Sequence, residues 1–194
     1  HIPKQVETRS KWPVIVFLHG SGERGPADGS QIDKVKVHGP PKIVDKDPDF
    51  PFIVISPQCH GRFWQPWQLI DLLDHCLKTY PCDADRVYLT GLSMGGFGTW
   101  ATCSAYPKRF AAAVPICGGG DPSKVCAMKD VPTWVFHGDK DRAVNVERSK
   151  VMVEALKKCD GDVTLTIYPG VGHDSWTQTY DNPDLYKWMM EHTR

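Results

Sequence analysis

The chain has 194 residues, 41% of them apolar and 24% charged, which is enough apolar mass for one real core and too little length for two; the expectation is a single domain over 1–194. Lys plus Arg and Asp plus Glu both count 23, so no basic excess argues for nucleic acid and no polybasic run for a membrane surface. No apolar run approaches transmembrane length and no signal peptide opens the chain at His1, so a soluble protein is expected, either cytoplasmic or secreted with its signal peptide removed.

In chain order, the first β-type run is Trp12 to Leu18 (WPVIVFL), close to the start of the chain. A polar stretch from Gly22 to Asp49, rich in Gly, Pro and Asp, reads as a long loop with room for a short helix. Pro51 to Ser56 (PFIVIS) is the second strand. Between Trp67 and Tyr80, Leu69, Leu72, Leu73, Cys76, Leu77 and Tyr80 mark one face of a 3.6-residue period. Arg86 to Thr90 (RVYLT) is the third strand, and Met94 to Ala105 the helix after it. Phe110 to Ile116 and Val131 to Phe136 are further strands. A helix over Val146 to Lys158 leads to the strand Val163 to Tyr168. A last helix spans Pro183 to His192, with Asn182 as N-cap and proline at its first position. Several strands are apolar throughout, as strands covered on both faces are, and the alternation is the βαβ pattern of a parallel sheet. The short insert between Phe110 and Val131 leaves no room for a large lid.

Seven cysteines, with no pair or Cys/His cluster at zinc-site spacing, leave the redox compartment open. Cys103 and Cys117 read as small buried residues, and Cys76 with Cys82, or Cys117 with Cys126, are the candidate disulfides.

The sharpest chemical signal is Gly91-Leu92-Ser93-Met94-Gly95. A G-x-S-x-G directly between a strand and a helix is the context of a nucleophile elbow, in which a tight turn lifts the serine above the sheet. A glycine-rich turn with a capping serine would share the motif but not its partners. A serine hydroxyl needs a base. His173, in PGVGHD after the last strand, is the candidate; His1, His38 and His60 lie in polar segments, His75 is mid-helix, and His19 and His137 read as loop braces. An acid must orient the base, and Asp139 and Asp141 both follow the fifth strand; spacing alone does not separate them. The backbone N–H of Met94, the residue after the nucleophile, is the first expected oxyanion donor, and the loop His19-Gly20-Ser21-Gly22 supplies the second.

These blocks resemble the phospholipase/carboxylesterase and dienelactone-hydrolase-like branch of the α/β-hydrolase superfamily, and within it a bacterial group of esterases and predicted peptidases. The likeness runs from Trp12 onward through Leu18 to Gly25 (LHGSGERG), Ser56 to Cys59 (SPQC), Gly91 to Gly96, Gly98-Thr99-Trp100, Pro115 to Gly120 (PICGGG), His137-Gly138-x-x-Asp141 and Gly172 to Trp176 (GHDSW). The resemblance implies an α/β-hydrolase fold with a compact, mostly parallel sheet flanked by helices. It selects Asp141 as the acid and the N–H of Ser21 as the second oxyanion donor. Larger relatives have further N-terminal strands, so the sheet is expected to be minimal or truncated.

The function expected is a serine carboxylesterase acting on small or aromatic carboxylic esters through an acyl-enzyme on Ser93, without metal or organic cofactor. Trp64, after the second strand, and Trp176, three residues past His173, are the candidate substrate walls, whereas Trp100 reads as core. A serine peptidase, amidase or thioesterase would use the same triad, and an inactive binding protein would be expected to have lost part of it. Serine at position 93 counts against dienelactone hydrolase activity proper, for which cysteine is expected.

Overall fold

The computed structural model describes residues 1–194. Six strands form one parallel sheet: β1 (Trp12–Leu18), β2 (Ile53–Ile55), β3 (Cys82–Leu92), β4 (Ala112–Ile116), β5 (Thr133–Gly138) and β6 (Val163–Tyr168). They lie in the order β2-β1-β3-β4-β5-β6. All seven residues of β1 are buried. Their alternation divides the core: Val14, Val16 and Leu18 pack on one face of the sheet, Ile15 and Phe17 on the other.

Helices α2 (Pro66–Thr79), α3 (Met94–Ala105) and α4 (Glu147–Lys157) cover the first face through Leu69, Leu73, Trp100, Met152 and Leu156. The opposite face carries α1 (Gly39–Val44), α5 (Trp176–Tyr180) and α6 (Pro183–Glu191), which contribute Tyr180, Leu185 and Met189 with Ile43 packed alongside. Asn182 caps α6 as expected, its side chain accepting from the Asp184 N–H at 3.0 Å.

The differences from expectation are local. The third strand begins at Cys82 rather than Arg86, because the polar segment Cys82–Arg86 extends the strand beside Trp12 before the apolar run starts. The long loop holds a 3-10 turn over Ile32–Val37 and the six-residue α1. Neither is long enough to show a helical period. The expected disulfides do not form: Cys126 bonds to Cys159, with 5.5 Å between their α-carbons, while Cys76, Cys82 and Cys117 are free and buried. The bond joins the short insert after β4 to the end of α4, two segments 33 residues apart that only packing makes neighbours. No helix is long and apolar enough to cross a membrane.

Candidate active site

Every chemically marked residue sits at the carboxyl ends of the strands, where loops are free to differ while the sheet holds them in register. The chain turns from β3 into α3 at Ser93, whose φ of 53° and ψ of −115° are rare for a residue with a side chain. Two features sustain the turn. The Ser93 N–H donates to the Ile116 carbonyl at 3.0 Å. Gly95 permits close approach, since a Cβ there would overlap the Leu18 carbonyl oxygen.

Ser93 Oγ lies 2.9 Å from His173 Nε2, and His173 Nδ1 lies 2.7 Å from Asp141 Oδ2. With its proton on Nδ1, facing the carboxylate, His173 offers the Nε2 lone pair to the serine hydroxyl. The Asp141 side chain is fully buried, and burial alone would raise its pKa. The hydrogen bond from His173 and those from the backbone N–H groups of Val144 and Ala143, both 2.9 Å from Oδ1, outweigh burial and hold it below the usual carboxylate value. Asp139 points elsewhere: its Oδ1 accepts from the Gly170 N–H at 2.7 Å, tying the acid loop to the histidine loop.

Two further histidines stand behind the triad. His137 is fully buried, with Nε2 at 2.9 Å from the Val144 carbonyl and 3.1 Å from Asp141 Oδ2. Both partners are acceptors, so the proton belongs on Nε2, and Nδ1 lies 2.8 Å from the Ser149 hydroxyl, which is also 3.1 Å from the Gly118 carbonyl. His19 donates from Nδ1 to the Gly20 carbonyl at 2.6 Å, while its Nε2 accepts from the Cys59 N–H at 2.9 Å. Desolvation lowers the pKa of both rings. The brace expected of His19 is therefore visible in the loop that carries Ser21; that of His137 reaches the triad acid itself, a contact the sequence does not signal.

The N–H of Met94 opens α3 and that of Ser21 opens a 3-10 turn, so neither has an internal carbonyl behind it to reach. Both residues, with Ser93, line one open cavity of about 490 Å³, walled by Phe63 and Phe97. One trio of metal-ligating type occurs, Cys117 with Asp141 and His173, their ligand atoms within 4.8 Å of one another. Burial pushes the Cys117 thiol up to about 12, which keeps it protonated at neutral pH, and Asp141 and His173 are already engaged with each other.

Residues 66–183 match the family model described as Phospholipase/Carboxylesterase. The chain belongs to the phospholipase/carboxylesterase family. Among solved structures, a thermostable esterase is 37% identical with a TM-score of 0.83, covering 100% of this chain and 58% of that one. The bifunctional acetylxylan esterase/xylanase XynS20E of Neocallimastix patriciarum is 29% identical over 71% of this chain and 21% of its own length. Carboxylesterase SOBER1 of Arabidopsis thaliana is 24% identical over 82% of both chains. The chain thus spans about a fifth of the acetylxylan esterase/xylanase and somewhat over half of the esterase structure.

Within this carboxylesterase-family site the two expected tryptophan walls have other surroundings. Trp64 is 8% exposed and lies in the core. Its indole N–H donates to the His19 carbonyl at 3.2 Å, and the ring covers Gly98, where a Cβ would come within 2.8 Å of it. It supports the loop that carries Ser21, and its neighbour Phe63, 60% exposed, walls the cavity instead. A strand-end position alone could not tell which of two adjacent aromatic residues turns inward. Trp176 stands edge-on to His173 with ring centroids 5.2 Å apart, outside that cavity's lining. Its N–H donates to His38 Nδ1 at 3.3 Å, which fastens the long loop to the histidine loop. Glu23 and Arg24, adjacent in the loop after β1, do not pair with each other. Arg24 Nε donates to the Ser21 carbonyl at 2.9 Å, while Glu23 faces His38 at 3.8 Å.

Proposed function

We propose that this domain is a serine carboxylesterase that hydrolyses small or aromatic carboxylic esters through an acyl-enzyme on Ser93. The observation that carries the reading is the unbroken chain Ser93–His173–Asp141, at 2.9 and 2.7 Å, opening onto a cavity that contains both candidate oxyanion donors. Ser93 Oγ attacks the ester carbonyl carbon while its proton passes to His173 Nε2. Asp141 steadies the imidazolium without taking the proton. The carbonyl oxygen, now an oxyanion, accepts from the N–H groups of Met94 and Ser21. As the tetrahedral centre collapses, the C–O bond to the alcohol breaks and the alcohol leaves with the proton from His173. Water then repeats the sequence on the acyl-serine, releasing the acid and restoring Ser93.

Small or aromatic acyl groups suit an open cavity walled by Phe63 and Phe97 better than a long chain, which needs an enclosed apolar groove. Two relatives support this reading, the acetylxylan esterase and feruloyl esterase B of Neurospora crassa, the latter 26% identical over 61% of this chain. Acyl-protein thioesterase 1 of the same fungus, 31% identical over 50% of this chain, is the reason a thioester belongs in the test. Trp176 acts here by holding His173 rather than by touching substrate. The test is kcat/KM over acetyl, butyryl, octanoyl, palmitoyl and feruloyl esters, acetylated sugars, a thioester and a peptide amide. Rates should be highest for short or feruloyl esters and fall away by octanoyl, with Ser93→Ala losing several powers of ten while remaining folded. A maximum at palmitoyl, or faster cleavage of the amide or thioester than of any oxygen ester, refutes the substrate assignment; near-wild-type Ser93→Ala refutes the nucleophile.

A further inference from the structure

The cavity over Ser93 has a charge that the chain as a whole lacks. The formal net charge of the protein is zero, yet Arg24, Arg62 and Arg148 line this cavity and no acidic residue does. The three come from separate parts of the fold: the loop after β1, the loop between β2 and α2, and α4. None lies within 4.0 Å of a carboxylate, whereas Arg109 pairs with Asp74 and Arg194 with Asp85 elsewhere on the surface. Neighbouring acids are turned to other partners, Glu147 to Lys150 at 2.6 Å and Glu23 toward His38. Arg24 is fixed through Nε to the Ser21 carbonyl, which leaves the outer nitrogens of its fork free, and the Arg62 guanidinium sits 5.5 Å above the Phe63 ring. Three like charges around one opening repel each other with no carboxylate paired to any of them, and an anion between them would relieve this.

We propose that the site takes anionic esters, in which the bond cut at Ser93 is joined, across an organic spacer lying on Phe63 and Phe97, to a carboxylate or phosphate held by these arginines. The assignment rests on the esterase reading and narrows it to a substrate class. Guanidinium forks suit both anions, since each presents paired oxygens. The arginines are specificity determinants, since they recognise a group remote from the reacting carbonyl.

The experiment compares substrates with and without the anionic group: 4-nitrophenyl hemiglutarate against its methyl ester, read by release of 4-nitrophenol, and 1-acetylglycerol 3-phosphate against 1-acetylglycerol. At low salt the anionic member of at least one pair should have a kcat/KM about tenfold higher or more, a ratio that collapses at 0.5 M NaCl. Which pair responds says whether the natural anion is carboxylate or phosphate. Arg24→Gln, Arg62→Gln and Arg148→Gln should each lower the ratio, and the triple variant should bring it to about one. Titration calorimetry of the same esters on Ser93→Ala reads the site without turnover, and there the anionic ester should bind tighter in an arginine-dependent way. Neutral esters cleaved with no charge preference, and equal binding of both members by Ser93→Ala, overturn the anion site and leave the esterase reading standing. Selective, arginine-dependent binding with no turnover of any ester sustains the anion site and overturns the esterase reading.

Discussion

Replacing Asp141 by asparagine tests the site's proton arrangement with almost no change in shape. Oδ1 of Asp141 accepts from two backbone N–H groups, those of Ala143 and Val144 at 2.9 Å, so an asparagine must turn its oxygen to that side. Its NH2 then replaces Oδ2 and faces His173 Nδ1 at 2.7 Å and His137 Nε2 at 3.1 Å, both of which carry protons in the wild type. Donor meets donor. The cheapest escape is for His173 to shift its proton to Nε2, where it points at Ser93 and no lone pair remains to take the serine proton. A wrong tautomer in a serine triad costs about 10,000-fold in kcat, or about 5.4 kcal/mol of transition-state stabilisation. Asp139→Asn is the control: its oxygen still accepts from the exposed Gly170 N–H at 2.7 Å, and its rate should stay within about threefold of wild type, as is usual for a surface change away from the chemistry. The assay is steady-state hydrolysis of 4-nitrophenyl acetate by both variants, with circular dichroism melts to show that each is folded. Asp141→Asn within tenfold of wild type, or Asp139→Asn falling as far as Asp141→Asn, would refute the reasoning.

His137→Phe removes the proton that His137 shares between Asp141 and Val144, leaving a buried carbonyl unpaired; it should cost about 1–3 kcal/mol in a denaturant titration and lower kcat about tenfold with KM little changed, and an unaltered kcat would show that this ring does not position the acid. Stability should fall on acidification. Burial holds His19 and His137 below the ordinary value of 6.5, so below that pH the unfolded chain binds protons the folded one refuses; their contribution is complete above the unfolded value and is lost as pH drops through the window beneath it. Asp141, held below its ordinary value, loses its contribution only at still lower pH. Melting temperature should therefore decline from pH 7 to pH 5, and a rise over that interval contradicts the buried neutral histidines.

Local chemistry, readable along the chain, determined the elements and one end of the reaction. The apolar strands announce a sheet covered on both faces, because burial on two sides leaves no polar alternation. Gly91-Leu92-Ser93-Met94-Gly95 announces a sharp turn between a strand and a helix, because only glycine permits the backbone approach to Leu18 that the turn requires. Short elements such as α1 carry no periodicity, so the sequence left room for a short helix in the long loop without placing it. Packing decided what depends on contacts between distant segments. Asp139 and Asp141 are two residues apart and chemically identical; the course of the loop after β5 sends one to Gly170 and the other to His173. Trp64 and Phe63 are adjacent, yet one closes over Gly98 and the other walls the cavity. Cys126 met Cys159 because α4 returns to the insert after β4. Arg24, Arg62 and Arg148, unremarkable where each stands in the sequence, became a charged rim only when two loops and a helix start were drawn to the same edge of the sheet. Charge and direction at a site are sums over neighbours, and neighbours are set by the fold.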